Sequence, residues 1–252
     1  NNKTLIILSL LVAILPISLL IGLLIINLIT IIVSIIFIFE LFIKKKLNFL
    51  HDWSFYLLLL LWVSFLINLI FSQDINLSIF RAVGFIRFIF LAQVIRYLFL
   101  NNDTKYKELI LKSWLLIFFV VNVDLLIEYF SGKNILGYKS NLDGRLASFL
   151  DDELKIGGYY FGFCLLSLAT IYSYFKKDYK IIFAFALIFL IIAFLIGERS
   201  NFIKILFSTI IILFFYFREH KFKLLSLSLV SVIVFTSIIY KNENLKYRYF
   251  SQ

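Results

Sequence analysis

Residues that form disulfides, bind metals or break helices are scarce in this sequence. Its 252 residues include one cysteine, one proline, two histidines and no methionine. Cys164 has no cysteine partner within the chain, which excludes an internal disulfide, and we interpret it as an inert buried thiol. Neither His51 nor His220 has a second histidine or a cysteine at the spacing of metal ligands, so we expect no metal site and no cofactor.

Charged residues are also few, at 16% of the chain, whereas 62% of the residues are hydrophobic and the mean hydropathy is +0.99. A soluble domain is about half apolar and about a quarter charged. Runs of ~20 apolar residues, the length that crosses ~30 Å of hydrocarbon, recur along the chain. We therefore predict an all-α fold, a polytopic integral membrane helix bundle.

The apolar runs divide the chain into about nine predicted transmembrane helices. Their approximate positions are residues 4–20, 23–43, 53–72, 77–99, 108–130, 156–175, 179–197, 200–217 and 222–240. We expect the first two to form a tight hairpin through Pro16 and Gly22, with one long kinked helix as the alternative. The single proline and the absence of an evident repeat count against an inverted-repeat transporter. We treat residues 1–252 as a single integral membrane domain and expect it to be a fragment of a longer chain.

Basic residues outnumber acidic ones, which gives a formal net charge of +10. They cluster in alternate connections between the predicted helices, at 44–46, 101–107, 175–180 and 218–223. By the positive-inside rule these connections are cytoplasmic, and His51 and His220 lie on that side. The connections at 131–155 and 197–201 are then outside. We interpret the basic excess as a topology signal that also contacts anionic membrane lipids, and we expect no nucleic-acid partner.

Charges within the predicted helices are costly in hydrocarbon and are therefore functional candidates. Arg81 and Arg87 lie in the predicted helix 77–99, with Arg87 ~15 Å deep at ~1.5 Å per residue. Asp124 and Glu128 are four residues apart, so they share one face of the next helix. Matched by depth, Arg81 is expected to pair with Glu128. Arg87 is expected to pair with Asp124, and the pairs either fix the helix register or contribute to a substrate site.

The connection at 131–155 contains DGRLASF, a short polar insertion followed at once by apolar residues. This pattern is typical of a loop that dips back toward the membrane, with an ordinary solvated loop as the alternative for Arg145. Gly157 and Gly158 begin the next helix, where small residues allow backbone or ligand to approach closely. The amide groups of that helix terminus would point at an anion.

The short turn at 197–201 carries a second arginine outside the predicted helices. Two helices hold Arg199 near the membrane surface, and a guanidinium fixed in this way suits bidentate recognition of phosphate. Glu198 is expected to orient it. We predict that Arg145 and Arg199 share one extracytoplasmic site for an anion.

These motifs resemble the O-antigen ligase and O-antigen polymerase family of bacterial envelope glycan transferases. The resemblance is carried by GRLASFLDDELKIGGYY, GERSNF, FRAVGFIRFIF and the terminal LKYRYFSQ. It implies a C-type glycosyltransferase architecture without a metal, acting at the outer face of the bacterial inner membrane. The implied donor is a glycan on undecaprenyl diphosphate, and the implied acceptor is another glycan or the lipid A core.

The resemblance also implies roles for individual residues. Arg145 and Arg199 match the arginines that engage the carrier diphosphate, and we assign them as catalytic. Arginines assigned to substrate binding are Arg81, Arg87 and Arg248, the last at the start of the family's large loop. Acids assigned to supporting roles are Asp124, Glu128 and Glu198. The family's large loop supplies a further arginine and an acceptor-activating histidine, and we expect this fragment to lack that loop and the last helices.

The chemistry of glycan transfer fits an arginine site. Displacing a glycan from a diphosphate develops negative charge on the leaving oxygen, which fixed guanidinium groups stabilise. Two other function classes stay open: a transporter or flippase of lipid-linked saccharides, and a structural subunit of a membrane complex. A flippase needs polar groups toward both faces, whereas the charges that topology does not explain lie outside, which favours the transferase.

Overall fold

Helices form the regular structure in the computed structural model, which describes residues 2–101, 103–140, 144–150, 153–175, 178–217 and 237. The α-helices in these ranges are α1 (Asn2–Ala13), α2 (Leu15–Ile21), α3 (Leu23–Ile43), α4 (Trp53–Asn68), α5 (Ile75–Gly84), α6 (Ile86–Leu100), α7 (Thr104–Ser131), α8 (Glu153–Tyr174), α9 (Tyr179–Leu195) and α10 (Arg199–Tyr216). Short 3-10 helices at Leu47–Leu50 and Leu69–Phe71 flank α4. The described residues contain no strand, so the predicted all-α class is confirmed.

Six helical segments within the described residues are long and apolar enough to cross a membrane. These segments are Leu23–Ile43, Trp53–Phe71, Ser78–Leu100, Thr104–Ser131, Lys155–Tyr174 and Arg199–Tyr216. A seventh is obtained when α1 and α2 count as one span with a bend of 42°. Eight of the nine predicted helices fall within the described residues, and the six or seven segments found there are fewer than predicted. The predicted helix at 222–240 lies outside the described residues.

Helix α9, with 17 residues, begins at residue 179 as predicted and ends at Leu195, before the predicted end at 197. The Asp178 side chain accepts a hydrogen bond of 3.0 Å from the amide of Lys180, so the helix begins directly after Asp178. At the other end Gly197 adopts a φ of +80°, a left-handed conformation that terminates helices. The cap at Asp178 therefore fixes the predicted start, and Gly197 ends the helix earlier than its apolar composition suggests.

The predicted amino-terminal hairpin forms, but its two marker residues have different roles. Gly22 lies between α2 and α3 with a φ of +148°, and both α1 and α2 pack on α3 across this turn. Pro16 lies in the first turn of α2, where the missing amide costs no helical hydrogen bond. The turn is thus at Gly22, whereas Pro16 follows the bend between α1 and α2.

Residues Asn1–Ile110 form one compact unit, which we call unit 1. In it α3 packs on α6, and Val33 and Phe37 are fully buried in this contact region. An ion pair of 3.0 Å joins Arg96 to Asp52, the residue that caps α4. Hydrogen bonding from Ser54 is the main cause of a lowered pKa of Asp52, and the charge of Arg96 adds to it. The expectation of a single domain stays a prediction.

Residues Leu111–Gln252 form the second compact unit, unit 2. Helices α8, α9 and α10 pack on one another, and α7 joins them through the rings of Phe118, Tyr160 and Phe189. The Tyr160 hydroxyl donates to the side chain of Asn122 at 2.7 Å and contacts the Phe189 carbonyl at 3.1 Å, so this buried phenol is fully bonded. The connection between α7 and α8 and the turn between α9 and α10 lie together. We call their described residues the loop end of unit 2, namely 132–140, 144–150 and 196–198.

Candidate functional site

A backbone hydrogen bond joins the two connections of the loop end. The amide of Leu146 donates to the carbonyl oxygen of Ile196 at 3.3 Å. Arg145 directly precedes Leu146, and Arg199 begins α10 shortly after Ile196. The two arginines that the sequence predicts to act together therefore lie on adjoining backbone segments at the same end of unit 2.

Arg145 carries an unused hydrogen-bond donor. The residue is half-buried, and its Nε is fully buried without a hydrogen-bond partner among the described residues. A buried polar group left unpaired costs roughly 1–3 kcal/mol, and the cost is larger for a charged group. Gly144, with a φ of +72°, allows the sharp turn that places Arg145 here. A guanidinium with a spare buried donor is suited to bind an anion.

Arg199 and Glu198 mark the start of α10. Arg199 is the first helical residue and is half-buried, so its side chain begins beside the amide groups of the helix terminus. Glu198 is 8% exposed, and its carboxylate accepts hydrogen bonds from the Gly157 amide, at 3.2 Å, and from the Asn201 side chain. Glu198 therefore ties the start of α10 to the first turns of α8. Its expected effect on the orientation of Arg199 stays a prediction.

The glycine pair of α8 has one member that the structure requires and one that it does not. A Cβ added at Gly157 would collide with the Glu198 carboxylate and would lie 2.8 Å from Nδ2 of Asn201. A Cβ added at Gly158 would meet nothing within 4 Å. The predicted close approach at this pair is therefore real, and the group that approaches is the protein's own carboxylate.

Asp124 and Glu128 on α7 hold the loop between α7 and α8. Asp124 is fully buried and accepts hydrogen bonds from the Ile135 amide, at 2.8 Å, and the Ser148 hydroxyl, at 2.6 Å. Glu128 is 3% exposed and accepts from the amides of Ala147, at 3.0 Å, and Ser148, at 2.7 Å. The two acids share one face of α7, as their i,i+4 spacing predicts, and together they fix the loop between α7 and α8.

The sequence expectation of arginine partners for the two acids stays a prediction, and the partners within unit 2 are of another kind. Arg81 and Arg87 were the expected partners, whereas the groups that hydrogen-bond to Asp124 and Glu128 in the structure are loop amides and one hydroxyl. Backbone amides are strong donors to a carboxylate, so the acids need no arginine to be stable when buried. Both arginines belong to unit 1.

Sequence reasoning missed two polar residues of the loop end. The Asn134 side chain donates to the Ser148 carbonyl at 2.5 Å and accepts from the Tyr138 amide at 2.8 Å. Ser148 has a φ of +52°, and it is 2% exposed. Asn134 lies outside the motifs, and Ser148 belongs to DGRLASF without having been assigned a role. The signal that could have found them is the buried acid pair at the end of α7, which requires donors from the polar loop that follows.

The arginines of unit 1 have different surroundings. Arg81 is exposed on α5, whereas Arg87 is half-buried, with its guanidinium carbon 4.9 Å from the Phe88 ring centroid. Its Nε is buried without a hydrogen-bond partner among the residues that the structure describes. A Cβ on Gly84 would lie 3.1 Å from Nη1 of Arg87, and α5 ends at this glycine. The predicted helix at 77–99 corresponds to the single apolar segment Ser78–Leu100, with a local irregularity at Phe85 between α5 and α6, and the substrate role of both arginines stays a prediction.

Several candidates from the sequence lie outside the described residues: Arg248, His220, Asp151 and Asp152. His51 is exposed, with Nδ1 2.8 Å from the Tyr56 hydroxyl. Cys164 is a buried free thiol. Among the described residues there is no group of three or more histidine, cysteine or acidic side chains that could hold a metal ion.

The chain was compared with protein-family models, curated proteins and solved structures, and none of the three comparisons gives a match. The arrangement of residues at the loop end is therefore the observation that bears on function. That arrangement provides two arginines on adjoining segments, one of them with an unused buried donor, and buried acids that fix the backbone around them.

Proposed function

We propose that this chain is a membrane-embedded glycan transferase of the O-antigen polymerase or ligase type. It takes a glycan from an undecaprenyl diphosphate carrier at the outer face of the bacterial inner membrane and joins it to an acceptor glycan or the lipid A core. The membrane part of the proposal is supported by six described segments long and apolar enough to span a bilayer. The transfer part is supported by the family-like motifs and by the loop end.

The single observation that carries the proposal is the buried Nε of Arg145, which has no hydrogen-bond partner among the described residues. Buried polar groups in native proteins are nearly always hydrogen-bonded, so an orphaned guanidinium donor at a loop is explained most simply by an anionic ligand. A diphosphate offers several oxygens to Arg145 and to Arg199 on the adjoining segment. As the glycan leaves, the negative charge that develops on the diphosphate is stabilised by these fixed cations.

The supporting acids give the site its rigidity. Asp124 and Glu128 fix the segment that follows Arg145, through hydrogen bonds to Ala147 and Ser148. Glu198 fixes the turn that precedes Arg199 through the Gly157 amide and Asn201. Guanidinium groups that are already positioned need less reorganisation when charge develops, which is how such groups lower a reaction barrier.

Cells that depend on this protein for glycan assembly provide the test. We expect Arg145→Ala and Arg199→Ala, made in the whole protein as encoded, each to abolish the polymerised or ligated glycan seen on gels. Arg96→Ala is the matched control, because Arg96 pairs with Asp52 in unit 1 and takes no part in the loop end. Normal glycan in both loop-end variants, at parent levels of protein, would overturn the proposal.

A further inference from the structure

Unit 2 also contains an apolar cleft of about 340 Å³, in the half of the helices opposite to the loop end. Its floor is formed by the buried side chains of Phe118, Ile171 and Phe189. Leu116 and Phe119, which are 66% and 56% exposed, form an open side. The volume lies within the roughly 300–1,000 Å³ of typical ligand pockets.

One charged residue lines the cleft. Lys112 is exposed, and its Nζ lies 5.6 Å from the centroid of the Tyr174 ring near the end of α8. The other lining residues are aliphatic or aromatic: Leu115, Leu116, Phe118, Phe119, Ile171, Phe175, Phe185 and Phe189. A water-soluble anion would leave most of its polar surface without partners here. The lining therefore suits a ligand that is mostly hydrocarbon and carries negative charge at one end.

We propose that this cleft binds one acyl chain of an anionic phospholipid, whose phosphate contacts Lys112. Side chains on the open side, Leu116 and Phe119, would face the acyl region of a bilayer, so a lipid chain can enter sideways. Basic residues beside helix pockets attract anionic headgroups on the cytoplasmic side, which is the side predicted for this end of unit 2. The inference rests on the membrane-embedding part of the proposed function and is independent of glycan transfer.

The test uses purified protein in detergent, with native mass spectrometry to count bound lipids. The probes are phosphatidylglycerol and phosphatidylcholine with identical acyl chains. We expect phosphatidylglycerol to bind more tightly, and Lys112→Gln to weaken its binding about five-fold, the effect of one lysine at an anionic surface. Lys180→Gln is the matched control, because Lys180 is exposed at the same end of unit 2 and does not line the cleft.

A second pair of variants tests whether the acyl chain lies in the cleft. Leu116→Trp places an indole in the cleft and is expected to reduce the binding of both lipids. Leu166→Trp makes the same change at a residue that is 41% exposed on α8 outside the cleft lining, and it should leave binding unchanged. Equal binding of the two lipids by the parent, or equal behaviour within either variant pair, would overturn the proposal. These experiments measure lipid binding and do not depend on glycan synthesis. A negative result would therefore contradict the lipid site without contradicting the proposed role of Arg145 and Arg199.

Discussion

Two regions of the molecule hold an arginine with a buried Nε that lacks a hydrogen-bond partner among the described residues, and they differ in what surrounds it. Arg145 lies in a loop whose backbone is fixed by Asp124 and Glu128. Arg87 lies where α5 gives way to α6, against the ring of Phe88. Hydrogen bonds to buried acids therefore fix the backbone around Arg145, whereas Arg87 packs against an aromatic ring.

The scaffold around Arg145 is where we expect mutations to act most strongly. Glu128→Leu removes the acceptor of the Ala147 and Ser148 amides, and each unpaired buried amide costs roughly 1–3 kcal/mol. We expect a loss of about 3 kcal/mol in unfolding free energy, measured by thermal unfolding in detergent. Glu128→Gln keeps one acceptor oxygen and should be clearly milder. Parent-like melting of the leucine variant would show that the acid does not hold the loop.

Alanine substitution within the glycine pair is expected to have an intermediate effect on unfolding free energy. Gly157 is the tested position, and Gly158 is its control. Gly157→Ala forces the Glu198 carboxylate away from the α8 backbone, and overpacking of this kind costs about 1–3 kcal/mol. Gly158→Ala has open space for its methyl group and should be neutral or stabilising by roughly 0.5–1 kcal/mol, because alanine favours helix over glycine. Thermal unfolding of the two variants side by side measures the contrast. Equal melting temperatures would contradict the close contact between α8 and Glu198.

Asp52 in unit 1 gives the smallest expected effect, because it is exposed to solvent. Its lowered pKa means that the charged form is favoured by folding, so its contribution is present at pH 7 and is lost as pH falls through the lowered value. We expect Asp52→Asn to lower the melting temperature slightly at pH 7, and we expect the difference to shrink as pH falls and to vanish below the lowered pKa, where the parent carboxyl is also neutral. A difference that persists unchanged at acid pH would show that the carboxylate charge is not involved.

Composition and patterning were sufficient for the broad fold and for the two polar connections that the structure brings together. Long apolar runs predict helices because backbone groups in hydrocarbon must be bonded within their own segment. The loop with Arg145 and the turn with Arg199 stood out as polar residues between such runs, and the structure brings their backbones together at Leu146 and Ile196. Gly157 was identified for the right physical reason, close approach.

The partners of the buried acids could not be read from the sequence. Asp124 and Glu128 bind groups at Ile135, Ala147 and Ser148, which are brought near only when the loop folds back on α7. Spacing rules describe neighbours on one helix and say nothing of a loop returning to it. The length of α9 was overestimated at its carboxyl end, because Gly197 terminates the helix within an otherwise apolar run.

We propose above all that Arg145 and Arg199 bind one diphosphate together. The selectivity of the protein between a lipid diphosphate and a lipid monophosphate tests this most directly. The measurement compares the binding of undecaprenyl diphosphate and undecaprenyl monophosphate to the purified protein and to Arg145→Ala and Arg199→Ala. We expect the parent protein to prefer the diphosphate about ten-fold or more, because the diphosphate accepts one further charged hydrogen bond, and we expect each variant to lose this preference. A preference that survives unchanged in both variants, or none in the parent protein, would contradict it.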